Sequence, residues 1–135
     1  MLKPYIFARG DGSTNDTVAN ALLAADVAEN KKGEQVVILD MREITLIADY
    51  FVIVSAMNVT QVESIAEAIQ EALAERGLER LNRVGKLRAH WVLLDYGGLV
   101  VHIFTETERQ YYGLERLWGD ASVVDRPAVT SGREL

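Results

Sequence analysis

The chain has 135 residues, 49% of them hydrophobic and 25% charged, which is typical of a single soluble globular domain. Its formal net charge of −6 disfavours non-specific binding to nucleic acid and favours a basic protein partner. It contains no cysteine, which excludes disulfides and thiolate chemistry. No segment has the roughly 20 consecutive apolar residues of a membrane span, so the expected location is the cytoplasm.

The first half of the chain predicts helix, strand, strand and helix. Residues 1–12 show no clear periodicity and are predicted to be an N-terminal tail. A capping-box pattern at Ser13 and Asp16 predicts a helix that stops at Gly33. Two short apolar runs, 36–39 and 51–54, are predicted strands. Because neither run alternates with polar residues, we expect both faces of their sheet to be covered.

The second helix has the clearest pattern in the chain. Asn58 is its predicted N-cap, with Gln61 at the position that reaches back, and Gly77 ends it. Its apolar face comprises Val62, Ile65, Ala66, Ile69, Ala72 and Leu73. A short strand within 78–84 is expected to follow.

Residues 91–104 predict a β-hairpin that turns at Gly97-Gly98, since paired glycines supply the positive φ angles of tight turns. A two-residue loop pairs Leu94 with Val101 and Val92 with Ile103, which makes one face wholly apolar. The opposite face, here named the mixed face, sets a carboxylate and an imidazole among apolar side chains: Trp91, Leu93, Asp95, Val100, His102 and Phe104.

Two interpretations of the mixed face stay open at this point. Such a surface suits a protein partner, with Trp91 as an anchor. A covering helix that satisfies its two polar groups internally would explain it equally well.

A last helix is predicted after the hairpin. Thr105 and Glu108 have capping-box spacing, and Tyr111, Leu114 and Trp118 fall on one helical face. We expect Tyr111 and Trp118 to pack in the core. Residues 120–135 are predicted to be a C-terminal tail. The fold class is therefore α/β, a single domain over residues 13–119 with a mixed sheet of about five strands flanked by helices.

Motifs for catalysis are mostly missing. Gly85-Lys86 lacks the Ser or Thr of a phosphate-binding loop, since Leu87 follows. Asp40 and Asp95 each end a strand, where magnesium ligands occur in α/β enzymes, but isolated aspartates there are more often turn residues. No metal site, cofactor or catalytic residue is predicted.

Several segments together resemble the ribosomal silencing factor (iojap-like) family, over roughly residues 14–120. The most specific are Trp91-Val92-Leu93-Leu94-Asp95-Tyr96-Gly97 and Val100-Val101-His102-Ile103-Phe104. Further matches are Asp49-Tyr50-Phe51-Val52-Ile53, Gln61-Val62 with Ile65-Ala66, and Arg109-Gln110-Tyr111-Tyr112 with Leu114-Glu115 and Leu117-Trp118.

The resemblance implies a non-enzymatic, cytoplasmic translation factor. Members of the family bind the large ribosomal subunit through its ribosomal protein fourteen, block joining of the small subunit and lower translation when nutrients are scarce. They often form homodimers, and their fold is similar to that of nucleotidyltransferases without the catalytic carboxylates. Sequence-specific nucleic-acid binding and membrane binding are not expected.

Three positions depart from the family pattern. Ala56 stands where glycine is usual, Gly98 stands where the turn commonly has aspartate, and Val84 stands where glutamate is usual. Two of these changes remove an acid near the mixed face, where we expect the partner contact.

We expect the partner contact on the mixed face. Trp91, Leu93 and Val100 would supply buried area, Asp95 and His102 polar contacts, and Asp49 and Tyr50 would border the face. The alternative is a nucleotide-binding or nucleotidyltransferase-like enzyme that uses Asp40 and Asp95 with magnesium.

Overall fold

The computed structural model describes residues 13–113, 116 and 119–126, and this part of the chain alternates helices and strands. The helices are α1 (Ser13–Asn30), α2 (Val59–Glu75) and α3 (Glu106–Tyr112). The strands are β1 (Glu34–Asp40), β2 (Tyr50–Ala56), β3 (Asn82–Val84), β4 (Trp91–Asp95), β5 (Leu99–Thr105) and β6 (Ser122–Val123). The predicted α/β class is confirmed.

The described strands form one mixed sheet in the order β3-β4-β5-β2-β1-β6. Neighbours β2 and β5 are parallel, and every other neighbouring pair is antiparallel. The sheet has six strands, one more than expected. The additional strand, β6, has two residues, too few to show any period in the sequence.

The main core lies between one face of the sheet and the pair α1 and α2. Four fully buried alanines of α1 allow this helix to pack closely: Ala21, Ala24, Ala25 and Ala28. The apolar face of α2 is buried as predicted, except that Ala72 is half-buried. The apolar hairpin face, including Val92 and Ile103, belongs to this core.

A smaller core lies on the opposite face of the sheet, around Leu39, Met41, Ile53 and Phe104. Four of the six side chains of the mixed face stay partly exposed, as described below. The expectation that both faces are covered therefore holds only in part.

The end of α1 differs from its prediction. The helix ends at Asn30, and Lys32 rather than Gly33 adopts the left-handed conformation, with φ 68°. Gly33 is needed for space, because a Cβ there would lie 2.8 Å from both the Ala28 carbonyl oxygen and Val54 Cγ1.

The predicted cap of α2 is confirmed. Asn58 Oδ1 accepts a hydrogen bond from Gln61 N at 2.9 Å, and Gly77 follows the helix with φ 83°. The Gln61 side chain reaches back one residue further than expected, because it accepts from Met57 N.

The prediction for α3 was wrong in extent. Gly113 adopts φ 56° and caps the helix, so α3 ends at Tyr112. Thr105 occupies the N-cap position but makes no side-chain cap hydrogen bond. Tyr111 is 78% exposed, so its expected core packing was also wrong. Leu114 and Trp118 lie outside the described residues.

The predicted C-terminal tail is partly integrated into the fold. Ser122 and Val123 pair with Asp40 and Leu39 of β1, and Arg126 forms an ion pair with Glu29 of α1. Residues 120–126 are therefore packed on the domain, whereas residues 1–12 and 127–135 lie outside the described part. Among the helices described here, none is long and apolar enough to cross a membrane.

Candidate functional site: the mixed face of the hairpin

The hairpin has the predicted register. Tyr96 N donates to Leu99 O at 2.8 Å, and Gly97 adopts φ 88° in the turn. The mixed-face residues pair across the two strands as Trp91 with Phe104, Leu93 with His102, and Asp95 with Val100. These six side chains therefore share one surface, as the alternation of the sequence predicts.

Neighbouring strands extend this surface in ways that the sequence did not indicate. On one side, β3 pairs Val84 with Leu93, so the half-exposed Val84 joins the mixed face. On the other side, β2 pairs Phe51 with Val100 and Ile53 with His102. The extension depends on the parallel pairing of β2 with β5, which joins segments about 50 residues apart in the chain.

Trp91 is held in place by its own chain. Its ring stacks on Phe104 at a centroid distance of 5.0 Å, and the ring of Tyr112 lies 4.6 Å away. Its indole Nε1–H donates to His102 Nδ1 at 3.2 Å. Helix α3 thus covers the Trp91 end of the mixed face and leaves the ring half-buried.

The other end of the mixed face is open. Leu93, Asp95 and Val100 are all half-exposed, as is the adjacent Phe51. The structure therefore divides the mixed face: helix α3 covers one end, and the other end keeps apolar area and a carboxylate at the surface. Partner binding at the open end stays a prediction.

His102 is buried between these two ends, with 4% of its surface exposed. The ring of Phe51 meets it edge-on at 4.9 Å. Burial lowers the pKa of His102 to about 4, so the imidazole is neutral at pH 7. Because Nδ1 accepts from Trp91, the proton lies on Nε2, which has no hydrogen-bond partner among the described residues.

Asp95 and Asp49 lie at the turn. Asp95 Oδ1 accepts from Gly97 N at 2.8 Å, which fixes the start of the turn. Asp49 N donates to Gly98 O at 2.7 Å, and a Cβ on Gly98 would lie 3.1 Å from Asp49 Oδ2. Asp49 therefore lies beside the turn, where the same Cβ would also lie 3.4 Å from Thr17 Cγ2 of α1. Its place at the border of the mixed face stays a prediction.

Tyr50 does not border the mixed face. It is 3% exposed and packs in the main core on the opposite side of the sheet. Burial raises the pKa of its phenol, and the guanidinium of Arg42 lies 5.4 Å from the ring centroid. The expectation for Tyr50 is wrong because adjacent strand residues point to opposite faces.

The sequence analysis did not single out two large apolar side chains in the loop between β1 and β2. Leu46 is 100% exposed and Ile47 is largely exposed, in the loop that leads to Asp49. An apolar pair next to a loop aspartate is a weak signal, since it also fits the start of a strand.

The alternative based on Asp40 and Asp95 finds no geometric support. Three strand spacings separate β1 from β4, or about 14 Å. The two residues also lie on opposite faces, because Asp40 pairs with core-facing Tyr50 and Asp95 belongs to the mixed face. Asp40 instead forms an ion pair with Arg42 at 2.7 Å. Within the described residues, no cluster of three His, Asp or Glu side chains could hold a metal ion.

Comparison with known proteins gives a consistent result. Residues 14–134 match the family model described as "Ribosomal silencing factor during starvation". The chain is 45% identical over 109 residues to the ribosomal silencing factor of Halalkalibacterium halodurans, an alignment that covers 81% of this chain and 93% of that one. It is 43% identical over 103 residues to the ribosomal silencing factor of Bacillus subtilis, with 76% and 87% covered.

Solved structures show the same fold. A Chromobacterium violaceum protein matches with a TM-score of 0.74 and 29% identity, over 82% of this chain and 89% of that chain. A Bacillus halodurans protein matches with a TM-score of 0.67 and 41% identity, over 76% and 93%. The sequence, the hairpin and the fold thus agree, and the chain belongs to the ribosomal silencing factor family.

Proposed function

We propose that this protein binds the large ribosomal subunit through ribosomal protein fourteen, blocks joining of the small subunit and so represses translation when nutrients are limiting. Membership of the ribosomal silencing factor family supports a ribosome-related role. The observation that carries the contact is the open end of the mixed face, where Leu93 and Val100 lie half-exposed beside Asp95.

The chemistry of this surface suits a basic protein. Leu93 and Val100 offer apolar area, and the carboxylates of Asp95 and Asp49 lie at the turn. A net charge of −6 steers the chain toward a cationic partner. Trp91 and His102 then stabilise the surface by packing beside it, and His102 does so as a neutral group.

We also propose a cytoplasmic homodimer that acts without catalysis. The separation of Asp40 from Asp95 favours binding over nucleotidyl transfer. A likeness to the nucleotidyltransferase fold stays a prediction.

The test is co-sedimentation with purified large ribosomal subunits. Asp95→Asn keeps an oxygen that can accept from Gly97 N but removes the negative charge, so folding is preserved while attraction to a basic partner is lost. We expect binding about tenfold weaker, the effect of roughly 1.4 kcal/mol.

Glu71→Gln is the matched control, because it removes one carboxylate from the exposed side of α2. We expect it to bind like the unmodified chain. Equal binding by the Asp95→Asn and Glu71→Gln variants would move the contact away from the mixed face. No sedimentation of the unmodified chain would contradict the proposed function itself.

A further inference from the structure

The segment between α2 and β4 carries a charge opposite to that of the protein as a whole. Residues 80–90 contain Arg80, Arg83, Lys86 and Arg88 and no carboxylate, in a chain of net charge −6. We name this segment the basic edge, because it includes β3, the outermost strand on one side of the sheet. From it we infer a second contact surface, which binds phosphates of ribosomal RNA beside the protein contact on the mixed face.

The cations of the basic edge have different environments. Arg83 stabilises the fold, because it donates to Glu63 at 2.6 Å in an ion pair that is largely shielded from solvent. Arg80 donates to Gln70 on α2. Lys86 and Arg88 are exposed and form no ion pair with the described residues. Their side chains also have no hydrogen bond to the described residues, unlike that of Arg80, so they are available to an external anion.

The position of Lys86 and Arg88 ties the basic edge to the mixed face. Val84 of β3 lies on the mixed face beside Leu93. The next residue, Gly85, sits directly on β4, since a Cβ there would lie 2.5 Å from the Trp91 carbonyl oxygen. The loop with both cations therefore begins at the Trp91 end of the mixed face, opposite to the end that carries Asp95.

The surroundings favour a narrow phosphate contact over a broad nucleic-acid surface. Arg88 and His90 share a groove with the hydroxyl-bearing Thr105 and Thr107. Glu108 lines that groove too, and Glu67 lines the groove on the other side of Arg88, so acids border the strip. Lysine and arginine bind backbone phosphates without reading sequence. Phosphate contact is therefore confined to the strip that Lys86 and Arg88 present, because the carboxylates of Glu108 and Glu67 on its borders repel phosphate.

The experiment measures affinity for large ribosomal subunits over a range of salt concentrations, and it rests on the proposed function. In the Lys86→Gln, Arg88→Gln double variant, we expect affinity to fall roughly an order of magnitude per lost phosphate contact at about 0.1 M salt. The slope of log affinity against log salt should become shallower by about 1 for each contact. The Lys31→Gln, Lys32→Gln double variant removes the same charge at the end of α1 and should change neither quantity. Equal behaviour of the two double variants would overturn the inference.

A photo-crosslinking amino acid in place of Leu87 identifies the partner. This side chain is 71% exposed and lies between the two cations. Crosslinks to ribosomal RNA are expected, and crosslinks to protein alone would overturn the inference in favour of an acidic protein contact.

A separate measurement distinguishes failure of this inference from failure of the proposed function. If the unmodified chain does not bind large subunits, the proposed function is wrong, and binding to an isolated RNA hairpin at low salt then tests the basic edge alone. Binding that weakens in the Lys86→Gln, Arg88→Gln variant supports the phosphate contact. Absence of binding to the hairpin, or equal binding by the unmodified chain and the double variant, overturns the phosphate contact.

Discussion

The imidazole of His102 is a polar group that the fold keeps away from water. The rings of Trp91, Phe51 and Phe104 surround it, and the Trp91 hydrogen bond to Nδ1 selects the tautomer. A charge on this ring would have no solvent and no counter-ion among those neighbours. Protonation is therefore coupled to unfolding of the surrounding structure.

The stability of the protein should depend on pH through His102. The pKa is about 4 in the folded chain and 6.5 for an ordinary histidine, so the unfolded state binds the proton first as pH falls. The contribution of His102 to the free energy of unfolding is therefore fully present above about pH 6.5 and is lost progressively as the pH falls to about 4. We expect urea denaturation to report a loss of about 2 kcal/mol between pH 7 and pH 5.

The other histidine provides the control. His90 is exposed, so His90→Gln should retain the pH dependence and His102→Gln should abolish it between pH 7 and pH 5. Asp40, whose pKa is lowered by Arg42, contributes its own loss of stability only below about pH 4. An unchanged pH profile in His102→Gln would show that another group is responsible.

Helix α3 has only seven residues and depends on contacts with the sheet. Arg109 is buried, and its Nη1 donates to Gln35 O at 2.7 Å and to Ser55 Oγ at 2.8 Å. From the same helix, Tyr112 packs on Trp91 and Phe104. The helix is thus fixed to β1 and β2 by a guanidinium and to the hairpin by an aromatic ring.

Replacing Arg109 should loosen this attachment. Arg109→Gln leaves the buried Ser55 hydroxyl and the Gln35 carbonyl without their donor, so we expect a destabilisation of about 2 kcal/mol in urea denaturation. Arg42→Gln is the comparison, since the pair of Arg42 with Asp40 is exposed and contributes about 0–1 kcal/mol. Equal losses in both variants would mean that the buried contacts of Arg109 add nothing beyond an exposed ion pair.

At the scale of the whole molecule, residues 120–126 complete the sheet at its β1 edge. Val124 N donates to Ile38 O at 2.8 Å, and Arg126 pairs with Glu29 on α1. An uncovered strand edge exposes backbone donors and acceptors that can pair with another chain. This short segment therefore contributes to the domain and also protects it from edge-to-edge association.

Truncation tests this role directly. A chain that ends at residue 119 should be about 2 kcal/mol less stable than one that ends at residue 126, because the ladder bonds and the Arg126 ion pair are lost. Size-exclusion chromatography should also show more self-association of the shorter chain. Identical denaturation curves for the two truncated chains would contradict the structural role of 120–126.

Local chemistry made the hairpin and the central helix predictable. Gly97-Gly98 sets the turn, and a side-chain period of two then assigns every residue of 91–104 to a face, so the register follows from the sequence. Asn58 and Gly77 bound α2 for similarly local reasons. The hairpin segments also carried the most specific part of the family resemblance.

Only the tertiary structure decided how these elements combine. The parallel pairing of β2 with β5 brings Phe51 beside Val100 and directs Tyr50 toward the main core. The resulting strand order separates Asp40 from Asp95. The docking of α3 covers Trp91, whereas Leu93 and Val100 stay half-exposed. The sequence by itself determined the hairpin, helix α2 and the family. It could not determine these relations, because they depend on contacts between residues far apart in the chain, for which no local period or turn residue provides a signal.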